Sequence, residues 1–346
     1  MQSETSSTLE KEDIERIFSG FVVEAQKQMT ADIHMPRKKV IVLAGPTACG
    51  KTDFSIKLAK TIGGEIISAD AMQVFRGMDI GTAKLLKEHQ AQVPHYLIDI
   101  RDVSESFNVV DFYYEARECC QEIHRKGAVP IVVGGSGFYL HSLVYGPPSG
   151  PASVPELRKA LEKEMEEFGT ELLFERLRKL DPKYASTITK NDKQKIIRAL
   201  EIIALSGQEV SKHSWKGRKK PQNFDFRCWF LHRPREKLYP RIEARCEKMV
   251  ASGFLEEVKV LKQKGLLNNS SASQAIGYRQ ALDFLETPQT ALDYKNFMEH
   301  FKAASRQYAK RQFTWFRREP LFRWLDLDMH DPEIAEDIIR QDYELL

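Results

Sequence analysis

The chain has 346 residues, 42% of them hydrophobic, and a formal net charge of only +3. That length suits one large or two ordinary domains with a full core. The small charge excludes a globally basic nucleic-acid binder, so any such surface has to be local, and no run of about 18 apolar residues marks a membrane span.

Residues 1–37 precede the first strand signal. Their acidic opening (Glu4, Glu10, Glu12, Asp13, Glu15) resembles neither a secretory signal nor a transit peptide, so a cytoplasmic protein is expected. Ile14, Ile17, Phe18, Phe21 and Val22 fall at helical spacing, which fits either a docked helix or a loose tail.

Residues 39–44 are apolar and β-branched and read as a buried parallel strand. Gly45-Pro46-Thr47-Ala48-Cys49-Gly50-Lys51-Thr52 follows, a complete GxxxxGK[ST] phosphate loop of the kind nucleotide- and ATP-binding proteins carry. Residues 52–60, with Phe54, Ile56, Leu58 and Ala59, read as the helix behind it. Strand, loop and helix together aim backbone N–H groups and a helix N-terminus at an anion. Lys51 adds a full positive charge, and Thr52 offers a hydroxyl to Mg²⁺. The loop specifies a diphosphate-bearing ligand; it does not specify ATP.

Residues 65–68, 96–100 and 129–133 read as three further strands, with a helix over 109–126 before the last. Strands alternating with helices predict an α/β fold, a P-loop-type doubly wound parallel sheet, which takes ligands beyond the carboxyl ends of its strands. Asp70 falls there. It is either a cap of the next turn or a general base beside the phosphates. Gly134-Gly135-Ser136-Gly137 falls there too, as a plain tight turn or a close backbone approach. No strand ends in the Mg²⁺-binding Asp common in NTPases; Asp99, at the end of the third strand, is a weak candidate.

The turn-rich stretch 145–151 marks a boundary. From Val154 to about Gly207 the chain is charged, with helical periodicity (Leu157, Leu161, Met165, Phe168, Leu172, Leu173, Leu177, Leu180), and predicts an inserted all-helical domain. A basic loop at 217–223 leads back to a strand at 226–231, helices at 237–252, 254–264, 273–285 and 294–316, and a last strand at 322–325. The expected division is an extension 1–37, a core of 38–148 and 215–346, and an insertion of 149–214. Lys302, Arg306 and Lys310 share one helix face with aromatics interleaved, either a solvated basic face or a contact to RNA phosphates and bases. Cys49, Cys119, Cys120, Cys228 and Cys246 lack zinc-ligand spacing and read as reduced thiols.

From Lys38 to Trp324 the chain resembles the tRNA dimethylallyltransferase (tRNA isopentenyltransferase) family in its bacterial form. The likeness rests on GPTACGKT at 45–52, SADAMQVFRGMDIGTAK at 68–84, VPHYLID at 93–99, PIVVGGSGFYL at 130–140, NDKQKIIRALE at 191–201, RIEARCEKMVASGFLEEV at 241–258, AIGYRQ at 275–280 and YAKRQFTWFRR at 308–318. The resemblance implies that dimethylallyl diphosphate sits on the loop with Mg²⁺ and that Asp70 takes a proton from N6 of a flipped-out adenine next to the anticodon. Lys51 and Thr52 would serve the departing diphosphate. It implies tRNA contacts at Asp70, Ala71, Met72, Gln73, Ser136 and Arg158, and at Gln194, Lys195, Ile196, Ile197 and Arg198. Further contacts fall at Gln274 and Arg279, and at Lys310, Arg311, Gln312, Thr314, Trp315 and Arg317. A monomer is expected. Cys49, Ala71, Phe75, Ser136 and Lys195 depart from the family's usual residues; Ala71 loses a hydroxyl, and Lys195 loses the arginine fork. Adenylate isopentenyltransferase, a small-molecule kinase and a non-catalytic RNA binder are the competing readings.

Overall fold

The structure is a computed structural model that describes residues 38–212 and 223–345. The N-terminal helix-or-tail question and the basic loop at 217–222 lie outside the described residues.

The core begins with β1 (Lys38–Ala44), whose residues from Val40 to Ala44 are wholly buried, then α1 (Lys51–Ile62), β2 (Gly64–Ser68) and β3 (His95–Tyr96). Next come α2 (Val109–Arg125), β4 (Val129–Gly134) and α3 (Gly137–Tyr145). After the insertion the chain returns through β5 (Phe224–His232). With the last strand, β6 (Arg323–Asp326), the sheet order is β3-β2-β4-β1-β5-β6, every pairing parallel, so the phosphate-loop strand lies between β4 and β5. Both faces of such a sheet need helices, and the apolar run of β1 reflects that double burial.

The insertion is built on α4 (Pro155–Leu180), kinked at Gly169 (φ 83°), and α5 (Lys193–Ser206). Leu161, Met165, Leu173, Leu177, Ile196, Ile197 and Leu200 form an apolar cluster separate from the sheet's core. At its root the buried Glu201 accepts the Ser153 hydroxyl at 2.6 Å and the Val154 N–H at 2.8 Å, which fixes where the chain enters α4.

Beyond β5 lie α6 (Arg235–Ala251), α7 (Phe254–Gln263), α8 (Tyr278–Leu285), α9 (Ala291–Phe316), β6 (Arg323–Asp326) and α10 (Pro332–Glu344). Among the described residues no helix is long and apolar enough to cross a membrane.

Three expectations are corrected. The third strand stops at Tyr96 because Leu97 (φ 60°) and Asp99 (φ 56°) take left-handed backbone that a strand does not allow. Asp99 is no metal candidate: Lys84 Nζ donates to its carboxylate at 2.6 Å. The helix expected over 273–285 is two pieces, a turn at Ser270–Ser273 and α8, separated at Gly277 (φ 89°), and α10 has no counterpart in the sequence reading.

Candidate active site

Because all six strands are parallel, the loops leaving β1, β2 and β4 meet at one edge of the sheet. After β1, Ala48 (φ 62°) and Gly50 (φ 103°) curl the phosphate loop into the start of α1. Lys51 Nζ lies back across the loop, donating to the carbonyls of Gly45 at 2.8 Å and Pro46 at 2.7 Å. Burial pushes its ammonium below the usual lysine range; the Cys49 thiol opposes that shift, nearby Arg245 adds to it, and the Asp70 charge resists it. From outside, Arg233 Nε donates to Cys49 O at 2.9 Å and Arg241 Nε to Ala48 O at 3.0 Å.

Two cavities open at this edge. The smaller, about 120 Å³, is lined by Lys51, Thr52, Ser68, Gln73 and Gly134. The larger, about 370 Å³, is mostly apolar, with Met72, Ile242, Met249, Ile276, Tyr278 and Phe301 in its wall. Thr47, Asp70, Thr82, Arg245 and Tyr308 line both, so Asp70 stands where the cavity at the glycine loop meets the larger, more apolar one. Its Oδ1 accepts the N–H of Met72 at 2.9 Å and of Gln73 at 3.4 Å. One oxygen thus caps the turn, and Oδ2 has no hydrogen bond among the described residues.

Arg245 and Tyr308 are the residues the sequence reading missed. Arg245 Nη2 donates to Thr82 O at 3.3 Å, and Gln73 Nε2 donates to the same carbonyl at 3.3 Å. Burial lowers its pKa and the Asp70 charge raises it, so it is a desolvated cation beside a carboxylate. Its signal was available: Ile242, Arg245, Cys246 and Met249 form one helical stripe of α6, and an arginine inside an apolar stripe needs a reason. Tyr308 shares a hydrogen bond with Ser136, whose Oγ accepts the Ala71 N–H at 3.2 Å; burial first and Asp70 second push the phenol up. The turn bearing Thr82 is held by Glu257, whose carboxylate accepts the N–H groups of Asp79, Ile80 and Gly81 and the Tyr278 hydroxyl at 2.6 Å.

The residues expected to meet tRNA fall into three groups. Ala71, Met72, Gln73 and Ser136 are half-buried around Asp70, and Gln274, Arg279, Lys310, Arg311, Thr314, Trp315 and Arg317 are exposed, with Gln274 and Arg311 reaching the larger cavity. On the insertion, Arg158 and Gln194 hydrogen-bond each other. Arg198 donates to Glu201 at 2.7 Å and to Pro151 O at 2.6 Å, and Lys195 pairs with Asp192 at 2.7 Å. Three side chains are corrected. Ile196 and Ile197 are buried in the insertion's core, and Gln312, on the buried side of α9, is 4% exposed, so none presents a side chain to a docking surface. The basic stripe is also divided: Lys302 pairs with Glu247 at 2.5 Å and Arg306 with Glu243, both on α6, which leaves Lys310 exposed.

The glycines after β4 have a packing reason. A Cβ on Gly135 would lie 2.2 Å from Gln312 Nε2, and one on Gly137 would lie 2.5 Å from the Trp315 ring. The turn is where α9 docks.

Thr52, at the mouth of α1, brings a hard oxygen donor to the small cavity, and Asp70 brings another. Among the described residues no group of three His, Cys, Asp or Glu side chains could hold a metal.

The family described as IPP transferase matches residues 73–319. The chain is 64% identical over 337 residues to the tRNA dimethylallyltransferase of Protochlamydia amoebophila, covering 97% of this chain and 98% of the relative. It is 49% identical to the tRNA dimethylallyltransferase of Chlamydia pneumoniae, covering 89% and 91%. Among solved structures, the tRNA isopentenylpyrophosphate transferase of Bacillus halodurans superposes with a TM-score of 0.65 at 38% identity, covering 89% of this chain and 97% of that one. A eukaryotic dimethylallyltransferase acting on tRNA superposes with a TM-score of 0.71 at 29% identity, covering 88% and 80%. A match of this extent means that the chain belongs to the IPP transferase family.

Proposed function

We propose that the protein transfers a dimethylallyl group from dimethylallyl diphosphate to N6 of the adenine 3′ of the anticodon, in tRNAs reading codons that begin with U. The observation that carries this reading is Asp70 at the junction of a phosphate chamber and an apolar chamber. The diphosphate occupies the loop from Gly45 to Thr52, and the prenyl carbons and adenine share the larger cavity.

N6 forms a bond to C1 of the dimethylallyl group as the C1–O bond breaks. The electron pair leaves with diphosphate, and Asp70 takes the N6 proton. A purine amine is a weak nucleophile, so a positioned base lowers the barrier. Lys51 and the half-buried Arg245 stabilise charge on the departing diphosphate, where low dielectric strengthens them. A magnesium ion carried by the diphosphate and met by Thr52 would neutralise part of the same charge. An adenine inside a stack is out of reach, so the base is flipped; in an anticodon loop that costs less than in a duplex. The exposed cations of α9 and the insertion's Arg158 and Arg198 face the stem-loop, and the protein works as a cytoplasmic monomer.

The test is a labelled-transfer assay with dimethylallyl diphosphate and tRNA, AMP or ATP. Label in tRNA at that adenine supports the reading. Label in AMP moves the protein to adenylate prenylation, and ATP turnover without transfer moves it to the kinases.

A further inference from the structure

Gln312 is a buried polar side chain far in sequence from both groups it holds. Its Oε1 accepts the Thr47 N–H at 2.9 Å, and its Nε2 donates to Gly135 O at 3.0 Å. The Thr47 N–H and the Pro46 carbonyl belong to one peptide group. Gln312 grips that group at its nitrogen, and Lys51 Nζ grips it at its oxygen, 2.7 Å away. A peptide is planar, so fixing the N–H direction fixes the carbonyl direction. The plane to which Lys51 is tethered is therefore set from α9. The amide cannot swing freely, because its other end is tied to Gly135 O and the absent Cβ of Gly135 leaves just the room Nε2 fills. Gln312 also lines the smaller cavity, whereas Lys310, Arg311 and Trp315 around it on the same helix are exposed.

We propose that Gln312 is a positioning residue for the diphosphate: it holds the Pro46–Thr47 peptide so that the loop and Lys51 are preorganised, and it makes no contact with RNA. The inference rests on the reading above only for what fills the loop. Losing both hydrogen bonds leaves the peptide held at its carbonyl alone, by Lys51 Nζ at 2.7 Å and the Cys49 N–H at 3.4 Å, with its N–H direction no longer set; two such bonds are worth roughly a 10-fold change in affinity.

The experiment uses the full chain and measures inorganic pyrophosphate binding with Mg²⁺, anticodon stem-loop binding, and KM and kcat for dimethylallyl diphosphate. Two variants disturb the contact from opposite sides. Gln312→Met keeps the volume and loses both bonds; Gly135→Ala keeps the sequence of α9 and displaces the amide. The expected result for both is a pyrophosphate Kd and a dimethylallyl diphosphate KM raised roughly 10-fold, kcat lowered much less, and stem-loop affinity unchanged. Weakened stem-loop binding with unchanged pyrophosphate binding would overturn the proposal and make Gln312 an RNA contact. A lowered Tm with unchanged pyrophosphate Kd would also overturn it and leave a packing residue. If the wild type binds pyrophosphate but prenylates no tRNA, the transferase reading fails while the role of Gln312 is still decided by the pyrophosphate arm.

Discussion

Asp70 accepts the Met72 backbone N–H at 2.9 Å through Oδ1, so the turn after β2 fixes the carboxylate by one oxygen and leaves the other to the junction of the cavities. Asparagine can keep that capping bond and cannot take a proton. Asp70→Asn is therefore expected to retain the fold and stem-loop affinity while lowering kcat by roughly 10²–10⁴-fold. Near-normal single-turnover rates in this variant would reduce Asp70 to a turn cap.

Lys51 carries a pKa lowered chiefly by burial. A lysine whose pKa is depressed loses its charge at a lower pH than an ordinary one. The alkaline limb of kcat/KM for dimethylallyl diphosphate, which reports the free enzyme, should fall below the usual lysine range. Lys51→Arg should move that limb upward, because a guanidinium stays charged. A limb that does not respond to the substitution would assign it to another group.

Arg245 lines both cavities and is desolvated, so in the proposed reaction its charge would act on the departing diphosphate. Arg245→Gln should lower kcat by roughly 10²-fold at saturating substrates, the scale of one missing stabilising group in a dry site. An effect confined to KM would mean that Arg245 binds the ground state alone.

Ile196 and Ile197 are core residues of the insertion. Ile196→Ala should destabilise that helical unit by about 2–5 kcal/mol, read in thermal melts or amide exchange. Weaker stem-loop binding with unchanged melting would place the side chain on the RNA instead.

Neutralising Lys310, Arg311 and Arg317 together should weaken tRNA binding and make its salt dependence shallower, by roughly one unit or less in slope for each RNA phosphate that no longer meets a cation. Lys302 and Arg306 already pair with α6, so neutralising them should cost less affinity. Identical salt slopes in the triple variant and the wild type would assign the exposed cations of α9 to solvent.

The phosphate loop was legible in the sequence because its chemistry is local: eight consecutive residues, an apolar strand before them and a helix after them, whose N–H groups converge wherever the segment folds. The parallel sheet and the helical insertion were legible for a related reason, since hydrophobic periodicity records which face of an element is covered. What covers it is not recorded. Ile196, Ile197 and Gln312 match a motif beside exposed cations, and only tertiary packing turned their side chains inward. Gln312 meets Thr47 and Gly135 from 265 and 177 residues away. Arg245 became a site residue because α6 lies beside the loops after β1 and β2, and sheet order is set by pairings between distant strands. Residue types and their spacing determined the chemistry this chain can offer; burial and contact, which depend on partners far along the chain, decided which residues offer it.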